Sequence, residues 1–266
     1  MSFKDVKRGF TDRKTRVIAV LNQKGGVGKS TTVINLAACL GELKKKVLII
    51  DFDPQGNSSS GFGIEKEDLE NDIYDVILQD TPIEDIIQDT CEKKVFVAPA
   101  TIQLAGAEIE LVSAMARESI LKEAISSIVD DFDYILIDCP PSLGLLTINA
   151  LIAADSLIIP IQCEYYALEG VAKLLESMNM VKKRMNPELE IFGVVMTMFD
   201  SRTSLSKQVV EEVESYFGKK MFNTVIPRNV KIAEAPSYGR PVCMYAPISK
   251  GASAYAKLAK EVIKRG

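Results

Sequence analysis

Residues 17–32 read VIAVLNQKGGVGKSTT. The first five residues are apolar, which is the length and composition of a strand buried on both faces of a sheet. A glycine-rich turn follows, and beyond it apolar side chains recur at helical spacing from Val33 to Leu40. A buried strand joined to a helix by such a turn is typical of the first unit of a parallel α/β sheet.

The rest of the chain repeats this alternation. Further apolar runs typical of strands lie at 47–50, 95–98, 134–137, 157–161, 191–197 and 224–226. Helical patterns lie at about 30–43, 106–129, 144–153, 168–185, 205–217 and 252–264. This order predicts a mainly parallel, twisted sheet with helices on both faces, in one α/β domain. We expect the domain to span 17–266, after a basic, flexible N-terminal extension at 1–16.

The composition excludes several classes of protein. Of 266 residues, 47% are apolar and 26% are charged, which is typical of a globular chain and not of a disordered or collagen-like one. No run approaches 18 uncharged apolar residues, and residues 1–16 lack the apolar core of a secretory signal. The chain contains no histidine, which excludes His-based catalysis and His-ligated metal sites. We expect a cytoplasmic protein.

Charge is unevenly distributed, although the net charge is only −4. Residues 71–92 hold seven Asp or Glu and no Lys or Arg, whereas 219–266 hold ten Lys or Arg and two Glu. The net charge argues against a constitutive nucleic-acid binder. The basic C-terminal fifth nevertheless offers a one-sided surface for phosphates. The alternative is an ordinary set of solvated helix faces.

The cysteines are odd in number and widely spaced, and they form no CxxC motif. They are Cys39, Cys91, Cys139, Cys163 and Cys243. We expect each to be a small buried apolar residue in a reducing compartment.

The glycine-rich turn has the pattern of a phosphate loop, because it follows a strand and opens a helix. Its glycines let backbone N–H groups turn toward phosphate oxygens, and the helix N-terminus adds partial positive charge. Lys29 can reach the β- and γ-phosphates, and Ser30 offers a hydroxyl to Mg²⁺. The turn has KGGxGKS where the usual motif has GxxxxGKS, since Gln23 occupies the first glycine position and Lys24 follows it.

Carboxylates follow two of the predicted strands. Asp51 and Asp53 end the strand at 47–50, and Asp138 ends the strand at 134–137. Asp51 and Asp53 point to one face if the strand persists. A carboxylate at the carboxyl end of a strand beside a phosphate loop can hold Mg²⁺ through water. The turn-rich stretch PQGNSSSGFGI at 54–64 comes next and is predicted to be a site loop.

These residues resemble the ParA/MinD class of ATPases with a variant phosphate loop, a P-loop NTPase fold also called SIMIBI. The resemblance runs from Val17 to the C-terminus and is closest to the chromosomal ParA (Soj) proteins. Four stretches carry it beyond the common motifs: ATIQLAGAEIEL at 100–111, DCPPSLGLLTINAL at 138–151, QCEYYALEG at 162–170 and TVIPRNVKIAEAPSYGRPV at 224–242.

The resemblance implies a role for individual residues. Lys24 would contact the nucleotide across a sandwich homodimer, and Gly25 would lie where the two subunits approach. Asp53 would orient the attacking water, with Lys29 as the second catalytic lysine, and Asp51 and Asp138 would belong with Ser30 to the magnesium network. The nucleotide-binding residues would be Lys24, Gly25, Gly26, Val27, Gly28, Lys29, Ser30, Thr31, Pro227 and Asn229, and the DNA-facing residues Arg202 and Lys231.

The implied function is DNA segregation, with ATP and Mg²⁺ as cofactors. The ATP-bound dimer would bind double-stranded DNA without sequence preference, at the nucleoid. A ParB (Spo0J-like) partner would stimulate slow hydrolysis and release the DNA.

Two other functions remain open. A MinD-like membrane, polar-localisation or division-site switch would need large apolar residues on one face of a C-terminal helix. We expect Leu258, Val262 and Ile263 to pack against the core instead, and we expect no membrane binding. A phosphate-loop ligase or an iron–sulfur carrier is the third possibility. The carrier would need accessible paired cysteines, and the spacing offers no evident pair.

Overall fold

The computed structural model describes residues 15–266. The predicted N-terminal extension therefore lies outside the described residues, except for Thr15 and Arg16. The first strand begins at Arg16, one residue before the expected start of the domain.

The strands and helices follow the predicted alternation. The strands are β1 (Arg16–Val20), β2 (Val47–Asp51), β3 (Gln88–Asp89), β4 (Val95–Ala98), β5 (Tyr134–Asp138), β6 (Ser156–Gln162) and β7 (Glu190–Thr197). The helices are α1 (Lys29–Glu42), α2 (Asn57–Gly61), α3 (Ile73–Leu78), α4 (Ile83–Ile86), α5 (Leu104–Glu110), α6 (Ile120–Ala124), α7 (Leu145–Ala153), α8 (Glu169–Arg184), α9 (Ser204–Phe217), α10 (Val230–Glu234), α11 (Val242–Tyr245) and α12 (Lys250–Arg265).

The strands form one sheet in the order β3-β4-β2-β5-β1-β6-β7. Neighbouring strands are parallel, except that the two-residue β3 pairs antiparallel with β4 at the edge. β1 lies near the centre, between β5 and β6. The predicted mainly parallel sheet is therefore confirmed.

Helices cover both faces of the sheet. Successive strand residues point to opposite sides, so the apolar strands contribute to a core on each face. Val17 and Ala19 join the core under α7 and α8, whereas Ile18 and Val20 join the core under α1 and α12. All four side chains are completely buried. Such burial on both faces explains the unbroken apolar run at the start of the domain.

Two predicted elements are wrong. The helix expected at 106–129 is interrupted after α5 and resumes only at α6. Asn149 of α7 explains the interruption, because its amide donates to the carbonyl of Arg117 at 2.7 Å and accepts from the N–H of Leu121 at 3.2 Å. A side chain from another helix thus satisfies backbone groups that a continuous helix would satisfy internally.

The strand expected at 224–226 is also absent from the described sheet. Residues 221–227 run beside β7 and form only isolated bridges, at Val194 with Met221 and at Phe199 with Pro227. Pro227 has no N–H with which to extend a ladder. This segment therefore leaves the sheet edge and becomes part of a cavity wall, which is described below.

Candidate functional site

The loop between β1 and α1 adopts the backbone conformation that its glycines predict. Gly26 and Gly28 have φ values of +76° and +91°, in the left-handed region where side chains are strained. Side chains outside the loop fix its carbonyls: Thr197 donates to Val27 O at 2.8 Å, and Thr32 donates to Gly28 O at 2.7 Å. Backbone N–H groups at the start of α1 are left for an external acceptor.

A cavity of about 420 Å³ opens over this loop. Lys29 and Ser30, in the first turn of α1, line it, and Lys29 is 6% exposed. The other lining residues are Gly25, Gly26, Gly28, Thr31, Ile34, Asp53, Gln55, Asn57, Ser60, Pro141, Met198 and Pro236. A buried ammonium beside a helix N-terminus suits a highly charged anion such as a polyphosphate.

Asp51 and Asp138 lie side by side, because the last residues of β2 and β5 are in register. Both carboxylates are completely buried. Ser59 donates to Asp51 Oδ2 through its N–H at 2.8 Å and its hydroxyl at 2.7 Å, and Ser58 donates to Asp138 Oδ2 at 2.7 Å. The predicted site loop thus supplies both serines, as the second and third residues of α2.

Burial raises the pKa of both carboxyls. The pKa of Asp51 rises to about 8, because burial and then the charge of Asp138 outweigh the hydrogen bonds from Ser59. The pKa of Asp138 rises to about 6, because burial outweighs the hydrogen bonds from Ser58 and Ser30. A nearby cation would reverse both shifts, since it stabilises the ionised forms.

These two residues fit a hydrated magnesium ion. Asp51 Oδ1 and Asp138 Oδ1 are buried and accept no hydrogen bond from any described residue. Buried acceptors without a donor are costly, and Mg²⁺ keeps several of its waters, which are donors. Ser30 of the phosphate loop lowers the pKa of Asp138, so its hydroxyl and the two carboxylates belong to one polar cluster.

Asp53 occupies a different position from Asp51. β2 ends at Asp51, so the strand does not persist and the two side chains do not share a strand face. Asp53 is 6% exposed and lines the cavity, which Asp51 does not. Its Oδ1 accepts from the N–H of Gln55 at 3.0 Å, which holds the carboxylate at the cavity wall.

Lys24 points away from the cavity of its own chain. Its side chain is 47% exposed, and its ammonium forms an ion pair with Glu164, just after β6. Asn22 accepts from the N–H of Lys24 at 3.0 Å and anchors the loop to Pro160 O at 2.7 Å. The neighbouring Gly25 is exposed, and a Cβ there would meet no described atom within 4 Å. No contact among residues 15–266 therefore accounts for a glycine at this position.

A second cavity of about 350 Å³ continues from the first, with which it shares Gly28, Thr31, Met198 and Pro236. The segment after Ile226 forms its far wall, including Pro227 and Asn229. Asn229 also caps α10 by accepting from the N–H of Lys231 at 2.9 Å. An apolar slot beside a phosphate cavity suits the base of a nucleotide.

Arg202 and Lys231 are both on the surface and both already paired. Arg202 donates to Asp200 at 2.6 and 2.9 Å, and Lys231 donates to Glu234 at 2.8 Å. These ion pairs are exposed, so they contribute little to stability and can be exchanged for other anions.

A larger groove of about 610 Å³ lies on the other side of Gln55. Its wall includes Glu67, Glu70, Asp72 and Asp75. Lys66 is the one cation among the described lining residues, and the four carboxyl groups make the groove unfavourable for phosphate.

Comparison with known proteins agrees with this geometry. A family model described as an AAA domain matches residues 15–191. The sporulation initiation inhibitor protein Soj of Bacillus subtilis is 56% identical over 94% of this chain and 99% of that protein. The chromosome partitioning protein ParA of Myxococcus xanthus is 50% identical over 94% of this chain and 88% of that protein.

The chain belongs to the ParA/Soj family of ATPases. Among solved structures, cobyrinic acid a,c-diamide synthase from Mycobacterium smegmatis, with bound ADP and magnesium, has a TM-score of 0.83 and 38% identity. The similarity covers 94% of each chain. The P-loop fold of the ParA/MinD class, predicted from the variant phosphate loop, is thereby confirmed.

The ParA/Soj site includes residues that the sequence did not single out. Glu164 lies within the stretch 162–170, but nothing in the pattern indicated that it pairs with Lys24. Ser58 and Ser59 lie within the predicted site loop, and their pairing with Asp138 and Asp51 required the register of β2 against β5. Thr197 gave no signal at all, because it is the last residue of an apolar strand.

The C-terminal helix agrees with the ParA/Soj assignment. Leu258 and Val262 are completely buried and Ile263 packs partly against the core, as predicted. Among residues 15–266, no helix combines the length and the apolar composition needed to cross a bilayer.

Proposed function

We propose that this protein is a DNA-segregation ATPase in which ATP controls dimerisation and the dimer holds DNA. The observation that carries the proposal is the position of Lys24 and Gly25. The lysine lies at the rim of the phosphate loop without lining its own cavity, and the glycine beside it leaves open space. A second subunit would use both features, the glycine for close approach and the lysine for its nucleotide.

The two joined cavities support ATP as the nucleotide. The phosphate loop, Lys29 and the helix N-terminus would hold the phosphates, and the slot beside Pro227 and Asn229 would hold the base. Ser30 would bind Mg²⁺ directly, with Asp51 and Asp138 reaching it through water. Magnesium supplies charge neutralisation for the triphosphate when bound.

Hydrolysis would depend on positioning and on fixed charge, which suits a chain without histidine. Asp53 would orient the attacking water, because it is the carboxylate that lines the phosphate cavity. Lys29 would stabilise the charge that develops on the phosphate oxygens, as would the Lys24 of the second subunit. We expect slow hydrolysis in the absence of a partner protein.

DNA binding would use surface cations of the C-terminal third of the chain, and Lys231 belongs to its basic part at 219–266. Arg202 and Lys231 would exchange Asp200 and Glu234 for DNA phosphates, which carry no sequence information. Dimerisation doubles the number of such contacts. A ParB/Spo0J-like partner would stimulate hydrolysis and release the dimer, so the protein would work in the cytoplasm at the nucleoid.

We expect binding to an unrelated DNA duplex only with a triphosphate. Binding should be measured with no nucleotide, ADP, ATP and a non-hydrolysable ATP analogue, at several salt concentrations. Affinity should fall with salt by a logarithmic slope of about 0.9 for each phosphate contact. Binding that is the same in all four nucleotide states, or absent in all, would contradict the proposal.

We expect Gly25→Val to fold and to bind Mg-ATP, but not to dimerise. A Cβ at residue 25 meets no described atom of its own chain within 4 Å, whereas a side chain there would occupy the space of a second subunit. Light scattering with the non-hydrolysable analogue should show only monomer. Gly28→Val is the contrasting variant: it strains a residue at φ +91° and should lose nucleotide binding itself. A dimeric Gly25→Val would remove the close-approach role.

The relatives favour partitioning over the MinD-like switch, since they are Soj and ParA proteins at 50–56% identity. The ligase alternative rests on the similarity to a diamide synthase, at 38% identity. ATP-dependent DNA retention distinguishes these functions, because neither a membrane switch nor a ligase needs it.

A further inference from the structure

Two of the cysteines form a buried pair. Cys39 lies near the end of α1, Cys243 lies in α11, and they are 1% and 7% exposed. The sequence spacing indicated no such pair. A third cysteine, Cys91, lies nearby on the surface, with its Sγ 3.5 Å from the Sδ of Met244. The expectation of buried cysteines is therefore confirmed for Cys39, Cys139, Cys163 and Cys243 and wrong for Cys91.

The carboxylate of Glu42 lies beside the two cysteines and forms a group of three possible metal ligands with them. The Sγ atoms of Cys39 and Cys243 and a carboxylate oxygen of Glu42 all lie within 4.8 Å of one another. Cys39 and Glu42 are three residues apart in α1, so they lie on the same helix face. Glu42 is exposed, which leaves one side of the group open to solvent.

We propose that Cys39, Cys243 and Glu42 form a binding site for a thiophilic divalent cation, with Zn²⁺ as the best match. Zinc takes thiolate sulfur at about 2.3 Å and carboxylate oxygen at about 2.1 Å in tetrahedral geometry. Three ligand atoms within 4.8 Å of one another are close enough to surround one ion of this size. The mixed sulfur and oxygen set favours zinc over Cu(I), which prefers sulfur alone, and over Mg²⁺, which prefers oxygen. Water would take the fourth position.

The site would stabilise a specific part of the fold. α1 begins at the phosphate loop, and α11 follows the stretch 229–236, which contributes Asn229, Ile232, Ala233 and Pro236 to the nucleotide cavities. In the described chain these parts are joined by a hydrogen bond from the N–H of Val242 to Asn35 Oδ1 at 2.7 Å. A cation between Cys39 and Cys243 would add a second connection, at the end of α1 away from the nucleotide.

Cobalt is the probe for this site, because Co²⁺ replaces Zn²⁺ and its thiolate charge-transfer absorption reports sulfur ligands. The reduced, full-length protein should be titrated with Co²⁺ in the absence of nucleotide. We expect one equivalent to bind with a tetrahedral, thiolate-type spectrum that Zn²⁺ abolishes. The proposed magnesium network offers only oxygen ligands and cannot produce this absorption.

Single substitutions show which residues give rise to the Co²⁺–thiolate absorption. Cys39→Ala and Cys243→Ala should each lose it, whereas Cys163→Ala, a buried cysteine outside the group, should keep it. Glu42→Gln alters only a surface residue and should weaken the affinity for Co²⁺ about ten-fold or more. Circular dichroism and nucleotide binding establish that each variant is folded.

Two results would overturn the proposal. One is the absence of thiolate absorption in the wild-type protein. The other is a signal that survives Cys39→Ala and disappears with Cys91→Ala, since it would belong to the exposed thiol. If the core variants fail to fold, the Co²⁺ titration of Glu42→Gln beside Cys91→Ala still decides the question, because only the first should weaken the thiolate signal.

Discussion

Lys24→Ala is expected to abolish ATP-dependent dimerisation and, with it, retention on DNA. In the proposed dimer each Lys24 approaches a phosphate of the opposite subunit, so the variant loses two symmetric charged contacts. Removing one partner from such a desolvated pair costs roughly 2–5 kcal/mol. Two of them correspond to at least about a thousand-fold weaker dimer. Light scattering and DNA binding with the non-hydrolysable analogue measure the effect.

The control for this prediction is Lys94→Ala. Lys94 is also an exposed lysine, but it precedes β4 at the amino ends of the parallel strands, whereas the phosphate loop follows the carboxyl end of β1. The substitution removes the same charge and should leave dimerisation unchanged. Nucleotide binding by the Lys24→Ala monomer should persist, because Lys29 and the loop backbone remain. A dimeric Lys24→Ala protein would show that the lysine acts only within its own chain.

Asp53→Ala is expected to lower ATP hydrolysis by about 100-fold or more while leaving the dimer intact. A positioned carboxylate that orients or activates water contributes about 10² to 10⁴ to the rate. The variant should therefore dimerise with ATP itself and stay on DNA longer than the wild-type protein. Single-turnover hydrolysis and the rate of DNA release are the two measurements.

Asp53→Asn separates charge from geometry. In the wild-type protein the N–H of Gln55 donates to Asp53 Oδ1 at 3.0 Å. The asparagine side chain retains an oxygen that can accept this hydrogen bond, so the loop should keep its shape. It should nonetheless hydrolyse as slowly as Asp53→Ala. Loss of nucleotide binding in both variants would assign Asp53 to binding instead of water positioning.

The central strands and the phosphate loop were predictable because their determinants are local. The apolar run at 17–21 matches β1 within one residue at each end, and glycine at 26 and 28 matches a backbone that requires it. Asp51 and Asp138 were identified for the same reason, since each directly follows an apolar run and is the last residue of its strand. Local patterns thus located the cavity wall and most of the residues that line it.

The remaining features depend on contacts between distant segments. Asn149 interrupts the helix predicted at 106–129, although it is more than 20 residues from the interruption in sequence. The two-residue β3 is too short for any periodicity to reveal. The meeting of Cys39 with Cys243, and of Lys24 with Glu164, likewise follows from how separate elements pack and from no pattern in the sequence.

The ion pair between Lys24 and Glu164 also bears on how strictly dimerisation depends on a bound triphosphate. Within the proposed mechanism, Glu164 competes with a partner's phosphates for the same ammonium, and the pair must break in both copies for a dimer to form. An exposed pair of this kind costs less than about 1 kcal/mol to break, which is small beside the contacts that a triphosphate offers. The same energy is not small beside the weak contacts that two subunits form when they collide without a triphosphate. Within that mechanism Glu164 would restrain Lys24 until a triphosphate is present, and we expect the neutral substitution Glu164→Gln to raise dimerisation without nucleotide while leaving the catalytic groups unchanged.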